Sequence, residues 1–174
     1  MISAIFLSTM KEKAFSPEAT AFLLVQLGTC AADRFGELVA PLHISARQAG
    51  ILRLIATTPG CNQQDLARRL GVLPSQMVFL IDELTEKKLV ERQRSTEDRR
   101  VSFVRLTTKG AHLVEKLSRL VREHGREFSA VLTTKELRTL HILCRKLADT
   151  HGLSPDVHPG YKKLFREQAS IGGK

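Results

Sequence analysis

The sequence predicts a mainly α-helical protein with a small β-wing, a winged helix-turn-helix flanked by N- and C-terminal dimerisation helices. Three observations carry that expectation. Apolar residues recur at helical spacing toward both ends of the chain, three short helical segments in the middle are separated by Pro and Gly, and an arginine-rich stretch with hairpin character follows them. Steps of three and four residues lay one buried stripe along a helix, whereas β-rich runs around a polar loop mark paired strands.

Each element has a local reason. Ser16-Pro17 suits the N-cap and first position of a helix. Beyond it Leu24, Leu27, Ala31, Phe35, Leu38 and Leu42 form a stripe along a helix of about six turns. A second helix is expected over 46–57, ending at Thr58-Pro59-Gly60, and Asn62 caps a short third over 63–70 that stops at Gly71. Pro74 opens a fourth, running to Lys87. Val90 and Arg92, then 101–106, give two short strands around the charged loop Ser95-Thr96-Glu97-Asp98. After Thr107-Thr108 the helical period returns at Leu113, Leu117, Leu120, His124, Phe128 and Val131, a narrow seam of the kind that packs on another helix. Thr133 and Glu136 have capping-box spacing and open a last helix with Leu137, Leu140, Cys144 and Leu147 on one face. The remainder is basic and punctuated by Pro and Gly, with one short helix expected around 161–168.

The resulting organisation is an N-terminal extension (1–15), a dimerisation helix (16–44), a DNA-binding winged helix-turn-helix (45–110), C-terminal dimerisation helices (111–150) and a basic tail (151–174). The end helices carry apolar seams that the small middle module cannot cover, and a symmetric second copy is the simplest way to bury them.

Charge adds to this picture. The 174 residues carry 27 Lys+Arg against 18 Asp+Glu, a net +9. That excess is net −1 over 1–42, +5 over 43–110 and +5 over 111–174, so it suits a structured basic surface better than a disordered arm. A polyanionic partner, double-stranded DNA, is expected. No apolar run is long enough to span a membrane. The run at 2–7 is short and lacks a preceding basic region, so no secretory signal is expected. Three cysteines, Cys30, Cys61 and Cys144, at irregular spacing fit a reducing cytoplasm rather than a disulfide framework or structural zinc.

In a helix-turn-helix the second helix docks in the major groove and its first turns face base edges. Here those turns hold Ser75, Gln76, Met77, Val78 and Phe79, while 70–85 contains no Lys or Arg but includes Asp82 and Glu83. Gln76 can pair bidentately with adenine, Ser75 can reach a base or a phosphate, and Phe79 can meet a thymine methyl. Arg92, Arg94, Arg99, Arg100 and Arg105 crowd the hairpin. Arginines at a hairpin tip can enter a narrow minor groove, and Asp98 is expected to organise the wing by pairing with one of them. Cys61, just before the Asn62 cap, is the candidate redox thiol, because a helix N-terminus can lower a thiol pKa. Cys30 and Cys144 lie on or beside apolar stripes and are expected to be packing residues, and His124 sits in the long helix's seam as a core histidine. No nucleophile–base pair, phosphate-binding glycine loop or metal-ligand spacing is present in the sequence, so no catalytic residue, metal or cofactor is expected.

These residues resemble a known family. Leu89-Val90-Glu91-Arg92, Asp98-Arg99-Arg100 and Leu106-Thr107-Thr108-Lys109-Gly110 look like the strand, wing and strand signature of the MarR (multiple-antibiotic-resistance regulator) transcriptional regulators. Gln64, Leu66, Ala67, Leu70 and Gly71 match the family's first helix-turn-helix helix, and the resemblance covers about residues 20–148. It implies a homodimer, joined through its first and last helices, that binds inverted-repeat operators through residues including Gln64. It also implies release of DNA when a small, often phenolic or anionic, effector binds between the dimerisation and DNA-binding regions. Arg34, His43, Arg47 and Arg92 are the candidate effector contacts. The chain departs from the pattern where Gln76, Val78 and Phe79 replace hydroxyl residues and an arginine. It departs again at Lys88, where a glycine is common and a positive φ is therefore expected. The peroxide-sensing branch is not matched, since Val25-Gln26 occupies the region of its reactive cysteine and Tyr161 is the only tyrosine. The expected function is a repressor relieved by a small molecule. The alternative is an interaction module with the same dimeric fold that has lost sequence-specific DNA binding, an idea motivated by the poorly charged recognition helix and by Phe79.

Overall fold

The computed structural model describes residues 16–94, 102–153 and 157. The order is α1 (Pro17–Val39), a 3-10 turn (Ala40–Leu42), α2 (Ala46–Thr57), α3 (Gln63–Leu70), α4 (Pro74–Glu86), β1 (Val90–Arg94), β2 (Ser102–Leu106), α5 (Thr108–Phe128) and α6 (Thr134–Thr150). The expected short helix at 161–168 lies outside the described residues.

Local chemistry sets the helix starts. Ser16, Asn62 and Thr107 each accept a backbone N–H of the first turn of α1, α3 and α5 through a side-chain oxygen. Ser45–Gln48 and Thr133–Glu136 form complete capping boxes at α2 and α6. The cap bonds from Thr133, side chain first, hold the Glu136 carboxyl below its ordinary pKa. One boundary differs from expectation. The α1 stripe does not continue as α-helix to Leu42, because Pro41 brings no N–H and the chain tightens into the 3-10 turn, leaving His43 at φ 55°.

The core lies in the middle of the chain. Ile51, Leu52 and Ile55 of α2, Leu66 and Leu70 of α3, and Met77, Ile81 and Leu84 of α4 are buried together with Val90, Val104 and Leu117. β1 and β2 pair antiparallel in the register Val90↔Leu106, Arg92↔Val104 and Arg94↔Ser102. The Val104 N–H also donates to the Cys61 carbonyl at 3.0 Å, and Asn62 bridges to Phe103, so the hairpin is tied to the α2–α3 turn.

α3 and α4 end alike. The N–H of Val72 bonds to the Ala67 carbonyl and that of Gly71 to Arg68; the N–H of Leu89 bonds to Leu84 and that of Lys88 to Thr85. Both are Schellman closures, which need a left-handed residue at the penultimate position. α3 uses Gly71 at φ 64°, and α4 uses Lys88 at φ 58°, the positive φ expected at that position. Thr107 braces this strained corner: its Oγ1 donates to the Lys88 carbonyl at 2.7 Å, and its N–H donates to Leu89. Gly110 packs so closely here that a Cβ would run into the Leu89 carbonyl oxygen.

Outside the module, apolar side chains remain uncovered in the single chain. Phe22, Leu23, Val25 and Leu27 of α1 and Leu140, Ile142, Leu143 and Leu147 of α6 are exposed. Cys30 and Cys144 are exposed with them, contrary to the expectation of buried packing. His124, expected in the core, is only half-buried, between the Phe35 and Phe128 rings at 6.1 and 5.8 Å. No helix among the described residues is long and apolar enough to cross a membrane.

Candidate nucleic-acid interface

α3 and α4 form the helix-turn-helix. Burial of Leu66, Ala67 and Leu70 leaves Gln64, Arg68 and Arg69 of α3 exposed. On α4 the buried residues Met77, Ile81 and Leu84 are spaced four and three apart, so Ser75, Val78 and Phe79 point outward, and Phe79 is 64% exposed. Met77 is therefore a core residue, not one facing a base. Gln76 is half-buried, and its Oε1 accepts the Leu73 N–H at 3.4 Å, so it serves the helix start as well as any partner.

Two of the three acids of α4, Asp82 and Glu83, do not lie loose on its surface. Asp82 pairs with Arg92 of β1 at 2.6 Å. Glu83 accepts from the Gln48 side chain of α2 at 2.9 Å. Each is drawn to a flank of the helix; the outward face of its first turns, Ser75, Val78 and Phe79, is neutral, and Glu86 lies exposed in the last turn. A carboxylate opposite phosphate would cost binding energy; one paired with a cation or held by an amide costs less.

The hairpin is less purely cationic than its composition suggests. Arg92 is committed to Asp82, and Arg105 to Glu91, its cross-strand partner, at 2.5 Å. Each of these two arginines thus has an acid partner among the described residues. Arg94 ends β1 opposite Ser102; Asp98, Arg99 and Arg100 lie outside the described residues.

A family model described as "MarR family" matches residues 44–102, the span from the foot of α1 to the second strand. The fold agrees with MarR from E. coli: a cysteine-to-serine mutant complexed with operator DNA superposes with a TM-score of 0.64 at 29% identity, covering 73% of this chain and 91% of that one. The chain is similar to MarR-family regulators in its winged module and in its fold. Among curated MarR-like relatives, a putative transcriptional regulatory protein for the hcr operon of Thauera aromatica is 34% identical over 98 residues, spanning 56% of this chain and 59% of that protein. The homoprotocatechuate degradative operon repressor of Escherichia coli is 24% identical over 144 residues, 82% of this chain and 97% of that one.

The four candidate effector residues have different neighbours. Arg34 stacks over the Phe128 ring at 5.9 Å. His43 is exposed, and its carbonyl accepts from Lys87. Arg47 lines an open trough of about 840 Å³ between α2 and α4, and Arg92 is held by Asp82. A different cavity, of about 450 Å³, lies between α1, α2 and α5. Phe35, Ala49, Val114 and Leu117 give it apolar walls, and Arg53 and Arg122 bring cationic groups to its lining. Sequence reasoning missed both arginines, whose only signal was a cation beside an apolar stripe. Cys61 is 8% exposed within the hydrophobic core. That burial corrects the redox expectation, which required a thiol that oxidants can reach.

Proposed function

We infer that the protein is a homodimeric transcriptional regulator that binds inverted-repeat double-stranded DNA and represses until a small molecule binds. The observation that carries the reading is the neutral outward face of the first turns of α4, with Asp82 and Glu83 held at the flanks, beside an arginine-bearing hairpin. In this assignment 45–110 bind DNA, and 16–44 with 111–150 pair the two copies. Pairing would cover the apolar residues left open on α1 and α6, and two-fold symmetry would set the recognition helices roughly 34 Å apart in successive major grooves. Ser75, Gln76 and Phe79 would choose the sequence, Gln64 would support the approach, and Arg94, Arg99 and Arg100 would supply backbone and minor-groove affinity. The activity is binding rather than catalysis, and its DNA partner places it in the cytoplasm.

The effector reading moves to the cavity between α1, α2 and α5. Apolar walls with Arg53 and Arg122 suit an aromatic ring carrying a carboxylate. The homoprotocatechuate repressor's name points to the same chemistry, a phenolic acid.

The test compares affinity, at physiological salt, for the duplex selected by the protein from a randomised library with that for a scrambled duplex. A ratio of about a thousand or more is expected of the regulator. A ratio near one would instead favour a protein-interaction module that uses the exposed Phe79.

A further inference from the structure

We propose that Gln48, Glu83 and Lys87 are positioning residues for operator recognition, a polar clamp that sets the orientation of α4 against the elbow between α1 and α2. The proposal rests on the regulator reading above and names the groups that hold the reading helix in place.

Gln48 is the one buried polar side chain among the described residues, 5% exposed. Burying an amide is costly unless both of its ends are satisfied, and here both are. Its Oε1 accepts the Ser45 N–H at 3.2 Å and the Lys87 ammonium at 3.0 Å, while its Nε2 donates to the Glu83 carboxylate at 2.9 Å. An ammonium on one end and a carboxylate on the other leave a single sensible orientation for the amide. A capping box alone would accept Glu at this position equally well. Glutamate here would face Glu83, so the contact across to α4 is what calls for Gln.

Lys87 extends the clamp. Its ammonium also donates to the His43 carbonyl at 2.7 Å, at the left-handed residue through which the chain leaves α1 for α2. Glu83 and Lys87, four residues apart, share one flank of α4, and Phe79 lies one turn before Glu83 on the adjoining surface. On the opposite side Met77, Ile81 and Leu84 pack into the core. On the Gln48 side there is instead the open trough, lined by Ser45, Gln48, Phe79, Glu83 and Lys87. Apolar packing thus fixes α4 on one side only. Across the trough its roll is set by these hydrogen bonds, and a roll of α4 carries Ser75 and Phe79 off the base edges while leaving phosphate contacts in reach.

The experiment measures binding of the full-length chain to the library-selected duplex and to its scrambled counterpart, with melting temperature as a fold check. Glu83→Ala removes the acceptor and one negative charge. The clamp predicts that the specific-to-scrambled ratio falls about tenfold while scrambled binding holds or strengthens, since that affinity is electrostatic. Glu83→Gln keeps an acceptor for Gln48 and should restore most of the ratio. Lys87→Met, which cuts the same clamp with the opposite charge change, should lower the ratio too, and it carries the test if Glu83→Ala fails to fold. If Glu83 were merely a solvated acid, Glu83→Ala would strengthen both duplexes equally, and an unchanged ratio in both variants overturns the clamp. A wild-type ratio near one overturns the regulator reading and the clamp with it.

Discussion

The winged module and the helices on either side of it solve the burial problem differently. In the module, Ile51, Leu52, Leu66, Met77, Ile81 and Leu84 are each essentially inaccessible within one chain. In α6, Leu140, Ile142, Leu143 and Leu147 keep between 42% and 58% of their surface exposed. Both regions show clear helical periodicity, so periodicity alone does not say whether a stripe is covered by its own chain. The module closes because three short helices and a hairpin share one core. The long helices run past that core and carry apolar surface beyond it. A stripe longer than the body it packs on is therefore a sign of a second copy.

The sharpest way to break this comparison is to damage each region by the same kind of change. Leu52→Ala opens a cavity in a fully enclosed site and should cost about 3 kcal/mol, read as a lower midpoint in urea denaturation at fixed protein concentration. Leu143→Asp should leave the module's secondary structure by circular dichroism nearly intact. It should weaken self-association by roughly a hundredfold, because a carboxylate would have to be buried in the seam; sedimentation equilibrium measures this. A Leu143→Asp protein that stays dimeric at wild-type concentration would show that the α6 face is not where two copies meet. The smallest effect sharpens the account of the module's own strain. Lys88→Gly relieves a left-handed lysine but adds freedom to the unfolded chain, so a net gain of roughly 0.5 kcal/mol is expected, seen as a melting temperature higher by a degree or two. A loss of stability would mean that the lysine side chain contributes more than its backbone costs.

How much of this was legible in the sequence follows the range of the interactions. Ser16, Asn62 and the Thr133–Glu136 box act over three residues, and their helices start where the sequence places them. The left-handed Lys88 was visible through family resemblance, since a common glycine marks a conformation and not only a small side chain. The inward turn of Met77 follows from the period set by Ile81 and Leu84, though its place next to Gln76 suggested otherwise. Contacts between distant segments were not legible. Gln48 meets Glu83 and Lys87 across 35 and 39 residues, and nothing in the α2 sequence distinguishes its glutamine from an ordinary cap. Cys30 and Cys144 lie on or beside apolar stripes, which suggest an interior position, yet both are exposed among the described residues.

The ion pair between Arg92 and Asp82 has a mechanical consequence. It bridges the hairpin and α4, the helix proposed to read the major groove, at 2.6 Å. In the proposed complex the two would approach a duplex together, as one caliper. A site whose grooves already match its opening would be gripped at no cost, and any other would have to bend or twist to fit. The energy of that deformation depends on base steps the protein never touches, so part of the choice of operator would be made by the stiffness of the DNA.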